Sequence, residues 1–337
     1  MRAISMNIAL IVPDREYQRG GVADYTVIIG KTLSSLARVQ EFTGCTFTLC
    51  GAFSLANRIV KSGCTAAVLQ YTPNIYRWRS LFAPVLLLLL RQKGVRTLTV
   101  FHELFLPAYK GLARNSVQRP YNFFKDLACL TLTRVPVVTF QHRARFLRDR
   151  YGLQVRMLPV CSNIPAYEGP PVFKEFFLGS LGSFHHDFDL DTVFEAMRRF
   201  PDKRPLFIGN APPRLHAMRE FFTGYCSPAD AARQLMKIRY FVLCDKRGIS
   251  LRKGSTAAAL AAGLCVIATR SAWTDDLFIH DENVFFFDGT ADGLATAIQT
   301  LEAGPDRADR IARAGRELYN AHMAPGIIAR GIAEALA

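Results

Sequence analysis

The sequence predicts an α/β protein built from two doubly wound, Rossmann-like units that face a cleft. Three observations predict it. Apolar runs of strand length recur between stretches of helical character. The pattern restarts after a segment rich in glycine and proline. Small or polar residues follow several of the apolar runs directly. Continuous apolar runs, rather than alternating ones, suit strands buried on both faces of a parallel sheet.

In the first half, 7–12 is such a run, closed by Pro13. A helix is expected over 22–36, after the pair Gly20-Gly21. Further strands are expected at 46–49, 66–70, 97–101 and 136–140, with helices over 80–93, 120–132 and 142–151. Alternation of this kind is the signature of a doubly wound sheet. A short strand at 153–158 and the turn 161–165 end the half.

The segment 167–171, Tyr-Glu-Gly-Pro-Pro, reads as a linker. Strands then follow at 176–181, 204–208, 240–243, 266–269 and 284–287. Helices are expected over 190–199, 214–223, 229–237, 255–262, 293–302 and 306–319. The expected domains are therefore 1–166 and 167–337, with the last helix packing back on the first domain. In open α/β sheets ligands bind beyond the C-terminal ends of the strands, which directs attention to the loops there.

Bulk composition narrows the function. Half the residues are hydrophobic and 21% are charged, so an extended disordered chain is excluded. The net charge of +14 calls for a negatively charged partner. The cations are dispersed rather than gathered in a recognition module, which argues against nucleic acid and leaves phosphate-bearing small molecules or an anionic membrane surface. The densest cluster includes Arg143, Arg145, Arg148 and Arg150, and reads either as a solvated helix face or as a membrane-surface patch. The eight cysteines form no Cys-x-x-Cys pair, as expected of buried free thiols in a reducing compartment. The N-terminal apolar run is too short for a signal peptide, and the run 84–90 is too short to span a bilayer. The expectation is a cytoplasmic protein, peripheral at the inner face of a membrane.

The most informative stretch is 248–268, GISLRKGSTAAALAAGLCVIA. Arg252 and Lys253 precede the small residues Gly254, Ser255 and Thr256, which open an Ala-rich helix ending at Gly263. A helix N-terminus carries unpaired N–H groups and partial positive charge, so it attracts phosphate. The stretch reads as a diphosphate cradle. Gly20 and Gly21 open a helix after the first strand, where a backbone can approach a ligand closely, although they do not form a dinucleotide fingerprint. His102 and Glu103 follow a strand, where His102 either acts as a base or orients a sugar hydroxyl, or else the pair caps the next segment. His185, His186, Asp187, Asp189 and Asp191 have the chemistry of a metal site. Asp187 or Asp189 is also well placed to cap the helix that begins near 190.

Read in order, these segments resemble a GT-B glycosyltransferase of the retaining family 4 type. The resemblance rests on Met6–Val12 with Gly20-Gly-Val-Ala-Asp-Tyr25, on Tyr71-Thr-Pro73, on Phe101-His-Glu-Leu104 and on Leu158-Pro-Val-Cys-Ser-Asn-Ile-Pro165. It continues through Phe177-Leu-Gly-Ser-Leu-Gly182, Leu206-Phe-Ile-Gly209 and the block from Phe241 to Thr269. It implies transfer of a sugar from a nucleotide-diphospho-sugar to a glycan or lipid-linked acceptor, with no metal and no cofactor. The C-terminal domain would hold the donor through Gly182, Ser183, Arg252, Lys253, Gly254, Ser255 and Thr256, with Gly20 and Gly21 near it. Asp24, Tyr25 and Asn163 would lie on the acceptor side, and His102 and Glu103 would be catalytic. Two departures stand out. Where the family carries Glu-x7-Glu, this chain has Ser250 and Ala258, and the usual lysine after Gly182 is absent. The alternative reading is therefore a scaffold that binds nucleotide or glycan without turnover.

Overall fold

The computed structural model describes residues 6–12, 21–73, 76, 80–105, 112–184 and 187–337, with only the helical backbone for 112–119. The chain forms two compact units. The first comprises Met1–Thr139, Arg143–Pro159 and Pro325–Ala337, and the second Phe140–His142 and Val160–Ala324.

The sheet of the first unit has strands β1 (Asn7–Ile11), β2 (Arg38–Phe42), β3 (Ala66–Tyr71), β4 (Arg96–Phe101), β5 (Val135–Val138) and β6 (Arg156–Met157). All pairings are parallel, in the order β2-β1-β3-β4-β5-β6. Every residue of β3 is buried, and Ile8, Leu10, Leu98 and Val100 are fully enclosed. Each such aliphatic side chain contributes about 2 kcal/mol on burial. The connections are α1 (Gly21–Leu33), α2 (Leu49–Lys61), α3 (Phe82–Gln92), α4 (Leu112–Leu132) and α5 (Gln141–Tyr151). The sequence-based strand at 46–49 is a correction. Its threonines favour a strand, but Thr48 instead accepts a hydrogen bond from the Gly51 N–H at 3.1 Å and caps α2. The strand at the sheet edge is β2, largely exposed and without an apolar run to reveal it.

The second unit is also parallel, with β7 (Phe176–Leu181), β8 (Pro205–Ile208), β9 (Ile238–Leu243), β10 (Cys265–Thr269) and β11 (Phe285–Phe287) in the order β11-β10-β9-β7-β8. Its helices are α6 (Leu190–Met197), α7 (Pro228–Met236), α8 (Gly254–Ala261), α9 (Ala291–Ala303) and α10 (Pro305–His322). The helix expected over 214–223 is a 3-10 stretch, Pro213–Phe221, with no buried residue. An unburied segment gains no packing energy to sustain an α-helix. The last helix, α11 (Pro325–Leu336), packs on α1 and β4 of the first unit, and Arg96 Nη1 donates to the Ala337 carbonyl at 2.6 Å. Residues 167–171 have no regular secondary structure, while the units themselves divide at 159/160.

Each sheet has a switch point where strand order reverses, between β1 and β3 and between β7 and β9. The loops leaving those strands are where this architecture builds ligand sites.

Candidate functional site

In the second unit, β9 runs into Cys244 and Asp245, and the loop 246–253 leads to α8. Gly248 makes that loop possible. Its φ is +69°, and a Cβ there would lie 2.5 Å from Thr274 Oγ1 and 2.8 Å from the Ser271 nitrogen. Asp275 then fixes the loop. This fully buried carboxylate accepts the Leu251 N–H on Oδ2 at 2.7 Å and the Gln141 N–H on Oδ1 at 2.6 Å. A buried carboxylate shared by two backbone donors is a strong positional restraint.

The loop delivers Lys253 as the residue capping α8, in an extended conformation with no side-chain cap. The N–H groups of the first turn, Gly254, Ser255 and Thr256, are thus left for a ligand. Lys253 Nζ is salt-bridged to Asp245. Burial lowers the lysine pKa and the neighbouring Asp245 opposes that fall. Two hydroxyls beside this helix start, Ser250 Oγ and Thr256 Oγ1, are buried without hydrogen-bond partners. A buried unsatisfied hydroxyl is uncommon, and both are closed off from solvent. A Cβ on Gly254 would come 3.5 Å from Asn163 Oδ1, so the Asn163 amide faces the start of α8 within the second unit.

Arg252 sits differently from Lys253. Its guanidinium lies over Phe140 at 5.2 Å and Trp273 at 5.5 Å. His142 stacks on Trp273 at 5.1 Å, and Arg247 lies 5.1 Å from the same indole. Cation–π contact of this kind holds the loop and leaves less of Arg252 for an anion than its sequence position implies. Gly182 follows β7 with φ +154°, and its carbonyl lies 2.1 Å from where a Cβ on Gly209 would sit, so the turns after β7 and β8 both depend on glycine. Ser183 follows it and is exposed.

The acidic cluster resolves into separate duties. Asp189 caps α6 by accepting the Thr192 N–H at 3.1 Å, Asp191 pairs with Arg214, and Asp187 pairs with Arg247 at 3.1 Å. His185 and His186 lie outside the described residues. Among the described residues no three His, Cys, Asp or Glu side chains gather in a way that would hold a metal. Ser250 and Ala258, which stand where the resembled family carries glutamates, are both buried.

In the first unit, Gly21 opens α1 with open space at its Cβ position, and Gly20 lies outside the described residues. Asp24 is exposed in the first turn of α1 and Tyr25 is buried. The Tyr25 ring meets His102 edge-on at 5.3 Å. His102 leaves the end of β4, its N–H bound to the Tyr71 carbonyl at 3.0 Å and its Nε2 2.8 Å from Gln70 Oε1. Burial pushes its pKa down from 6.5 to about 4, so the ring is neutral near neutral pH. Glu103 is half-buried beside it.

Sequence reasoning missed Gln70, Asp245, Asp275 and Trp273. Gln70 was marked by one signal, a polar residue inside the otherwise apolar and fully buried β3. Its Nε2 has no hydrogen-bond partner. The other three are ordinary loop residues until the fold brings them to 251–253.

The chain is similar over 98% of its length, and 98% of theirs, to a sucrose-phosphate synthase from Thermosynechococcus elongatus (TM-score 0.75, 19% identity) and to a glycosyltransferase from Rickettsia africae (TM-score 0.72, 14% identity). It is similarly close to the HepE protein of Anabaena, solved with UDP and glucose (TM-score 0.71, 14% identity, 98% of this chain and 99% of that one). No curated protein sequence matches the chain. The two parallel sheets are those of the GT-B glycosyltransferase fold, and residues 193–328, which contain the α8 site, match the family model described as Glycosyl transferase-like.

Proposed function

We propose that the protein is a glycosyltransferase that moves a sugar from a nucleoside-diphosphate donor to a hydroxyl of a glycan or lipid-linked acceptor, as part of cell-surface polysaccharide synthesis. The observation that carries this reading is the uncapped start of α8, with Lys253 as the residue at its cap. UDP and glucose in the Anabaena structure and the family-model match over 193–328 support it.

The chemistry needs little from the protein on the leaving side. As the bond between the anomeric carbon and the β-phosphate oxygen breaks, its electron pair passes to that oxygen. The first-turn N–H groups of α8 and the Lys253 ammonium stabilise the charge where it develops. The acceptor oxygen bonds to the anomeric carbon and its proton goes to a donor phosphate oxygen, which is the retaining course and requires no metal. In the first unit, His102 is neutral and aligned by Gln70, so its part is to hydrogen-bond a sugar hydroxyl rather than to donate a proton as an acid. The protein works at the cytoplasmic side of a membrane, in peripheral contact with it. Turnover is tested by incubating the full chain with UDP-, GDP-, ADP- and dTDP-sugars and measuring release of the nucleoside diphosphate. Release of none of them would contradict the proposal.

One observation favours a second reading. Ser250 and Ala258 leave the site without the glutamate pair of the resembled family. A scaffold that binds nucleotide without turnover would bind one of these donors and release nothing.

A further inference from the structure

The positive charge of the protein is not spread evenly. Residues 49–151 hold sixteen lysines and arginines against three acids, Glu103, Asp126 and Asp149, and so account for thirteen of the net fourteen charges. This stretch supplies α2, α3, α4 and α5, and α3 packs between α2 and α4. Among the described residues, its acids offset few of the exposed cations. Asp126 is buried and accepts the Tyr71 hydroxyl at 2.5 Å, Asp149 is paired with Arg148 at 2.8 Å, and Glu103 sits at the end of β4.

In the same layer α3 and α4 enclose an open groove of about 270 Å³, lined by Leu81, Val85, Leu88, Tyr121 and Phe124 among others. Its lining is almost wholly apolar, and Phe124 is 65% exposed, Leu81 43% and Leu88 40%. Exposed side chains of this size, side by side, are a costly surface to show to water. The groove ends among cations. Arg91, at the end of α3, reaches the Thr131 carbonyl of α4 at 3.5 Å, and Lys93 and Arg134 are exposed nearby in the chain. Arg58 and Lys61 are exposed on the neighbouring α2.

We propose that the α3–α4 groove with its cationic border is the surface by which the protein docks on an anionic phospholipid bilayer. Phe124, Leu81 and Leu88 enter the acyl boundary while Arg91, Lys93 and Arg134 meet the headgroup phosphates. Both halves of the chemistry are needed, since apolar insertion and attraction to anionic lipid add together at an interface. A second copy of the chain fits the face poorly, because a two-fold contact would set the same cationic layer against itself. A nucleic acid would use the cations but not the apolar groove. The proposal rests on the membrane-peripheral part of the function given above and is independent of the transfer chemistry.

Flotation of the full chain with vesicles tests it. Binding to vesicles of phosphatidylglycerol and phosphatidylcholine in equal parts should exceed binding to phosphatidylcholine alone by about tenfold or more, and should fall in high salt. Phe124→Asp and, separately, the pair Arg91→Glu with Lys93→Glu should each lower it by about tenfold, with circular dichroism unchanged. Nucleoside-diphosphate binding, measured by calorimetry on the same variants, should stay at the wild-type level. A folded Phe124→Asp protein that floats as well as wild type would overturn the proposal. So would a wild-type protein that ignores lipid charge, or one that forms a dimer which Phe124→Asp abolishes, since the groove would then belong to a second copy. Loss of nucleotide binding in wild type with vesicle binding intact would count against the transfer reading alone.

Discussion

Lys253 and Asp245 form an ion pair at the mouth of α8, the lysine as the residue that caps the helix and the aspartate at the end of β9. Both are largely enclosed, with side chains 19% and 10% exposed. The pair ties the Lys253 ammonium to Asp245, while the backbone of Lys253 leads directly into the uncapped first turn of α8. Removing one partner leaves the other charge with little solvent to compensate it. Lys253→Ala and Asp245→Ala should each destabilise the protein by about 2–4 kcal/mol, and the double variant by less than their sum. Urea unfolding of the three variants measures this. Additive losses would show that the two charges do not act together.

Asp275 should matter as much to the loop as Lys253 does to the helix. Its two oxygens take the Leu251 and Gln141 N–H groups, so Asp275→Ala leaves two donors unpaired. A loss of about 2–4 kcal/mol is expected, from about 1–2 for each donor. Nucleotide affinity should fall with it, because Lys253 lies two residues from Leu251. Thermal unfolding and nucleotide titration of the variant check both outcomes.

Gly248 is the hinge of the same loop. Gly248→Ala meets both a left-handed backbone at φ +69° and a contact of 2.5 Å with Thr274 Oγ1. Strain of this kind costs about 1–3 kcal/mol. Gly21→Ala, with open space at its Cβ, should be close to neutral for stability. A comparison of the two melting temperatures separates the cases.

His102 predicts a dependence on acid. Its pKa in the folded chain is lowered to about 4 from 6.5, so the unfolded chain binds the proton more readily between those values. Stability from this group is therefore full above about pH 6.5 and is lost as pH falls towards 4, by about 3 kcal/mol in all. Unfolding followed across that window should show the loss in wild type and a flatter profile in His102→Asn. Gln70→Leu should shift the profile as well, since it removes the oxygen 2.8 Å from Nε2.

Much of the fold was legible because buried parallel strands write themselves as apolar runs. β1, β3, β4, β9 and β10 are nearly or wholly buried and were all expected close to where they lie. β2 was not, since an exposed edge strand carries no such run. α2 was hidden behind Thr46-Phe-Thr48, whose strand preference yields to a capping hydroxyl. At the site, α8 and Lys253 were legible because a helix start is a local pattern. Asp275, Trp273 and Phe140 were not, because nothing local says that positions 140 and 273 meet over Arg252. That meeting also explains why Arg252 is drawn onto aromatic rings while Lys253 is left at the helix mouth.

The most direct test of the account is calorimetric titration of the full chain with UDP, GDP, ADP and dTDP, repeated on Lys253→Ala. The account predicts that at least one nucleoside diphosphate binds and that the variant loses about tenfold or more in affinity, the worth of one charge-assisted phosphate contact. Failure of all four to bind wild type, or equal affinity in the variant, would contradict it.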